Sequence, residues 1–289
     1  MLSNCFDPGA FRRHSGAFLL VAGLLAGCGG GGGGGVPPTG VDVDTPAFES
    51  YTTNHNGFAR VRQDRSSATD AAIIAQFEDG DPASPAGYRE LIALNDALYD
   101  GKMTVEVIGQ VDATSGAATR LLRLTVDQAP FENVKDGALV EASGKFYLRG
   151  QNFAWVTIDG GPLLSGSQAD GGLVNLELDF DREVASINLR TGVAGDSVVR
   201  TEATGTDLPF NIVTGAYGGD ITVQIWDPNS SVIHDIAGSL RGNVGGSPTY
   251  SDNRHGLTTS GLYTATGTSG GVPVTIDGAY FGTDPNALP

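Results

Sequence analysis

The chain has 289 residues, 43 of them glycine, and a formal net charge of −16 at neutral pH. A surface this acidic excludes nucleic acid as a partner and adhesion to anionic lipid as a function, although acidity is also a common solubility device. Charged residues make up 17% and hydrophobic ones 40%, which allows a sizeable core in a chain of this length.

The first forty residues carry an export signal. Arg12, Arg13 and His14 form its positive end, and an apolar run follows from Ala17 to Ala26. That run is too short to span a bilayer comfortably and fits the h-region of a secretory signal. It closes on Leu25-Ala26-Gly27-Cys28, which resembles the bacterial lipobox. The resemblance implies cleavage before Cys28 and a diacylglyceryl group, with further acylation (palmitate-type chains), on that residue. Two or three chains hold a membrane far better than one. The signal, residues 1–27, holds two of the 17 basic residues and one of the 33 acidic ones, so the mature chain is more acidic still, at about −17. Cys5 leaves with the signal and Cys28 takes lipid, so the mature fold must manage without disulfides. Gly29 to Gly35, followed by Val36-Pro37-Pro38, reads as a flexible tether, and residues 28–47 form the lipidated linker. Gly29 rather than Asp behind the cysteine favours the outer membrane, by analogy with enterobacterial sorting.

The body reads as mainly β. Phe48 to Phe77 looks extended, in pieces such as 57–62 and 71–77. Ser84-Pro85 opens the one expected helix, with Tyr88, Leu91, Ile92 and Leu98 near one face, ending before Asp100-Gly101. Strands are then predicted at 103–111, 119–126, 138–148, 152–158, 173–180 and 183–189. Further ones follow at 210–214, 221–226, 232–240, 261–266 and 272–281. Asp-Gly pairs at 79–80, 100–101, 136–137, 159–160 and 170–171 fall between elements and suit tight hairpin turns. Asp277-Gly278 falls inside the last strand and predicts a bulge or kink. The expected architecture is an antiparallel sandwich or barrel.

Catalytic chemistry is hard to place. His55, His234 and His255 lack metal-ligand spacing and stand near no nucleophile motif; no phosphate loop, dinucleotide fingerprint or nucleophile elbow occurs. Asp42 with Asp44, and Glu78 with Asp79 and Asp81, lack the spacing of a calcium loop. Asp179 and Asp181 are an acid pair of the kind glycoside hydrolysis uses, but such pairs arise by chance in so acidic a chain. The sequence therefore predicts no catalytic residue, no metal site, no cofactor and no enzyme. Trp155 and Trp226, with Phe153 and Tyr217, form either a stacking surface or barrel core. Trp226 precedes the turn Asp227-Pro228-Asn229, which predicts partial exposure and makes it the ligand-binding candidate.

Three C-terminal stretches carry a family likeness: residues 173–180 with the return at 183–187, Ile236 to Asn243, and Ile276 to Ala287. They resemble the β-barrel domains of transferrin-binding-protein-B-like surface lipoproteins. The resemblance implies an eight-stranded antiparallel barrel over residues 131–289 beside a smaller, handle-like β-rich region over 48–130, displayed at the cell surface. It also implies a host or environmental protein, or a small solute, as partner, with iron or haem acquisition as the setting. Pro285 falls two residues later than in the family pattern, and the usual closing strand does not follow, so barrel closure is left open. A mature chain of this length has room for one lobe rather than two, which disfavours transferrin itself, and no contact residues carry over. The alternative expectation is a structural or adhesive envelope lipoprotein without a dedicated ligand.

Overall fold

The computed structural model describes residues 40–52, 59–78, 85–96, 103–135, 138–139, 142–166, 173–192, 198–248 and 256–284. Cys28, the tether, His55, His255, Asp79, Asp81 and four of the Asp-Gly pairs lie outside them.

Five strands form one antiparallel sheet in the order β1-β2-β5-β4-β3. They are β1 Glu49–Thr52, β2 Ala59–Asp64, β3 Tyr88–Asp96, β4 Met103–Val111 and β5 Ala118–Gln128. A short pair, β6 Val134–Lys135 and β7 Ala138–Leu139, leads on to the second sheet. That sheet is built from β8 Lys145–Ile158, β9 Leu164–Ser165, β10 Leu173–Asp179, β11 Val184–Thr191 and β12 Arg200–Pro209. It continues through β13 Ala216–Trp226, β14 Ile233–Gly246, β15 Leu257–Ser269 and β16 Val272–Thr283.

The second sheet is a closed eight-stranded barrel, with β9 attached to β8 as a flap. Strand β8 closes it. Residues 145–150 pair with β10, and residues 149–158 pair with β16. A 14-residue strand is long enough to serve two neighbours in a sheared cylinder, so closure needs no strand after β16.

Side chains fill the interior. Inward positions of β10 and β11 supply Val174, Leu176, Leu178, Ala185, Ile187 and Leu189, all buried. Four phenylalanines plug one end: Phe180 meets Phe210 edge-on at 5.1 Å and Phe146 at 5.1 Å, and Phe131 lies 6.4 Å from both Phe180 and Phe210. Further up, one cross-strand row runs Tyr217–Gly242–Gly261–Tyr280 over four neighbouring strands. The two glycines leave the room that the two rings occupy, and the hydroxyls meet at 2.8 Å, with Thr259 2.6 Å from Tyr217.

Burial pushes Tyr217, Tyr263 and Tyr280 above the ordinary phenol range. Their neutral form thus stabilises the fold fully below the unfolded value, roughly pH 10, and that contribution is lost as pH rises beyond it. In an alkaline titration followed at the tyrosinate absorbance, these three of the eight tyrosines should stay silent until the barrel unfolds. Early ionisation of all eight in a folded protein would contradict this packing.

The five-stranded sheet lies against the barrel wall. Val61, Val105, Val107, Leu124 and Val126 pack on the outward side chains Phe153, Trp155, Leu262 and Ala279. Arg65 adds a polar bolt, its Nη2 donating to Asp277 Oδ1 at 2.6 Å and to Thr264 Oγ1 at 2.9 Å.

Several elements differ from the sequence reading. The helix is at Ala71–Glu78, not after Pro85. It follows a 3-10 turn, Ala68–Asp70, whose Asp70 carboxylate accepts from the Ser67 backbone and hydroxyl at 2.8 and 2.9 Å. Residues 88–96 are β3 instead. A register shift between Glu90 and Ile92 breaks the strand's alternation at Leu91, which is why the spacing looks helical. The proposed strand 210–214 is mostly turn: the Asn211 side chain accepts from Val213 and Thr214 N–H at 2.9 Å each, and Gly215 has φ 79°. Predicted strands 138–148 and 152–158 become β7 and the long β8. Asp277-Gly278 is no bulge, since β16 keeps unbroken register with both β15 and β8. Gly278 is required because a Cβ would sit 2.1 Å from the Tyr263 ring. Asp159-Gly160 does form a turn, with φ of 53° and 64°.

Candidate binding surface at the Trp226 end of the barrel

The strands alternate in and out, so residues at one end of the barrel can be read as rows. Nearest the tip, Arg200, Trp226 and Ile233 are cross-strand neighbours on β12, β13 and β14, in register. The row below, Thr191–Thr201–Ile225–His234, is buried. The next, Leu173–Arg190–Glu202–Gln224–Asp235, is the outward belt beneath Trp226.

The tip row is apolar and aromatic where solvent would favour charge. Trp226 is part-exposed, and the Arg200 guanidinium carbon stands 4.1 Å from its ring centroid. Ile233 is 45% exposed, Val232 48% and Val198 60%. With Leu173 at 38%, these are four of the six large apolar side chains exposed on the described residues. Scattered singly they would need no explanation; gathered at one end they form a contact patch. A cation over an indole is also the side-chain combination enriched at interface centres.

The loop that displays the patch is held in shape. Asp227 accepts from the Asn229 backbone at 2.8 Å and from Ser230 Oγ at 2.7 Å, and its own N–H donates to Val232 O at 3.1 Å. The backbone bond from Asn229 and the Ser230 hydroxyl hold this carboxylate below its ordinary range. In the belt, Arg190 donates to Glu202 at 3.0 Å and Gln224 donates to Asp235 at 2.8 Å. Burial works against ionisation of Glu202, but bonds from Asn188 and Arg190 outweigh it and lower its pKa.

The other aromatic candidates are dispersed rather than brought together. Trp155 and Phe153 face the five-stranded sheet, and Tyr217 points into the barrel. His234 is 2% exposed inside the barrel, with both ring nitrogens lacking a hydrogen-bond partner. Asp179 accepts from Arg182 N–H and Asp181 from Gly144 N–H, so both carboxylates hold the β10–β11 turn region rather than face each other across a substrate. Glu78 pairs with Arg123. Among the described residues no group of three acidic, histidine or cysteine side chains converges on a metal position.

A second concave surface lies on the free face of the five-stranded sheet, but its arginines are already engaged. Arg60 binds Asp127 through two bonds of 2.6 and 2.8 Å, and Arg62 binds Glu49. Arg123 binds Asp64 at 3.0 Å and also Glu78. Glu106 remains in the floor, and burial together with Glu90 raises its pKa. That surface is largely satisfied internally, whereas the Trp226 end is not.

No family model and no curated protein matches the sequence. Solved structures of similar fold do occur. Transferrin binding protein B from Neisseria meningitidis aligns with a TM-score of 0.39 and 13% identity over 71% of this chain and 36% of that one. A double mutant of the same protein from Haemophilus parasuis aligns at 0.39 and 13% over 83% of this chain and 38% of that one. HpuA from Kingella denitrificans, solved in complex with human haemoglobin, aligns at 0.35 and 12% over 86% of this chain and 96% of that one. The chain thus spans less than two fifths of the length of the transferrin binding proteins it resembles.

Proposed function

We propose that the protein is a non-enzymatic binding protein, held to the outer membrane by lipid on Cys28, that engages a protein partner through the Trp226 end of its barrel. One observation carries this reading. The barrel interior is filled, and exposed apolar side chains gather outside it around Trp226. A filled barrel offers no lumen for a solute, so recognition falls to the outer surface and its loops.

The placement of residue 40 agrees with this reading. Asn211 Nδ2 donates to Val41 O at 2.7 Å, and Gly40 lies against Asn211 and Val213. The body's N-terminal segment therefore sits at the phenylalanine-plugged end, opposite Trp226. The described chain thus enters the body away from the Trp226 end, which leaves that end clear for a partner.

The test uses the soluble chain from Val36 onward as bait against host serum and spent growth medium. Haemoglobin and haem carriers are offered first, with transferrin as a separate arm. Capture of a partner that Trp226→Ala abolishes supports the proposal. Absence of any partner, with an altered envelope or attachment on deletion, supports the structural alternative instead. Replacing Cys28 with Ala should release the protein from membranes while its barrel stays folded; membrane retention of Cys28→Ala would sink the anchor.

A further inference from the structure

Between β3 of the five-stranded sheet and the β8–β9 flap of the barrel runs a cleft of about 420 Å³. Leu91, Ile92, Leu163 and Leu164 line it, and Trp155, itself 3% exposed, forms part of its wall. The one charged lining residue is Arg89. Its side chain is exposed, lies against the β4–β5 turn at Gly116, and makes no ion pair with a described residue. In a chain with net charge −16, every other arginine of the five-stranded sheet is matched to a carboxylate. An apolar slot whose charged lining, among the described residues, is one arginine without an ion pair is the arrangement that selects an amphipathic anion over a neutral or cationic one.

We infer that this cleft binds a single-chain acyl carboxylate, its tail against Trp155, Leu91 and Leu164 and its head on Arg89. One charged residue at the edge of one apolar slot suits a single chain with one head group. The pocket also falls within the range of small-molecule sites, about 300–1,000 Å³. Val198 borders both this cleft and the partner surface, but Trp155 and Arg89 belong to the cleft alone and Trp226 and Ile233 to the partner surface alone.

Trp155 and Trp226 are the two tryptophans of the chain, so Trp226→Phe leaves Trp155 as sole reporter in the cleft. Titrating this variant with dodecanoate below its micelle concentration should give a saturable change in Trp155 emission. Dodecyltrimethylammonium should give none, and adding Arg89→Gln should weaken dodecanoate about tenfold, near the 1.4 kcal/mol of one decade. Arg89 is at the surface, so its replacement should leave the fold unchanged, checked by circular dichroism. No saturable change with dodecanoate overturns the inference. So does equal response to the cationic amphiphile or to the Arg89→Gln protein, which would mark the cleft as a seat for a partner's apolar side chain. Partner capture is read in a different assay, so either proposal can fail alone.

Discussion

Alanine at position 242 should lower the unfolding free energy of the barrel by about 3 kcal/mol, read as a shift in denaturant midpoint. The reason is a closed row of contacts. A Cβ on Gly242 would lie 2.4 Å from Tyr217 Cζ and 2.4 Å from Tyr280 Oη. Neither ring can withdraw easily. A Cβ on Gly261 would likewise meet Tyr280, at 2.3 Å from its hydroxyl, and the Tyr217 hydroxyl is tied to both Thr259 and Tyr280. Overpacking of a filled core costs about 1–3 kcal/mol, and breaking buried hydroxyl pairs adds about 1 kcal/mol each. The cost should fall by half or more when Gly242→Ala is made in a Tyr217→Leu background, since contacting residues couple. An unchanged midpoint in the single variant, or full additivity in the double, would show that the rings do not interlock this way.

Binding should respond as strongly to the tip row as stability does to the core row. Truncating Trp226 to Ala removes the indole and leaves Arg200 without its ring, an expected loss of about 2 kcal/mol, or near thirtyfold in Kd. Ile233→Asp places a carboxylate beside Trp226 on the neighbouring strand and should weaken the partner at least as much. Both residues face outward, so melting temperature should change little. Tyr147, 55% exposed on β8 and well away from this patch, supplies the control: Tyr147→Ala should bind normally. A loss confined to Tyr147→Ala would place recognition on the wrong wall.

Much of this architecture was legible in the sequence where large apolar residues alternate. β4, β5, β10, β11 and β16 fall close to their predicted spans for that reason. β12 was not legible. Its inward positions are Thr201, Ala203 and Gly205, small because Leu208 and Ile221 reach over Gly205, so the strand carries almost no hydrophobic signal. β3 misled through its bulge, which sets Leu91 and Ile92 together on the apolar cluster. The short helix did carry a local cue, since Ser67 and Asp70 stand three apart ahead of an apolar run, the spacing of a capping box.

The candidate surface was visible in one residue only. Trp226 before Asp227-Pro228-Asn229 signals a strand end and a half-exposed ring. Arg200, Val198 and Ile233 lie 26 and 28 residues before it and seven after, and nothing in the sequence sets them beside it. Register does that: β12 and β14 pair with β13 so that Arg200 and Ile233 flank Trp226. The cleft at Arg89 was equally hidden, because it forms between two sheets whose packing no local pattern specifies.

Site-specific photocrosslinking bears most directly on the central claim. A photoreactive side chain placed at Val232 of the protein expressed in cells should yield a partner adduct of one defined mass in serum or medium. The same group at Tyr147 should yield none. Adducts from Tyr147 alone, or from neither position despite measurable partner capture, would contradict recognition at the Trp226 end.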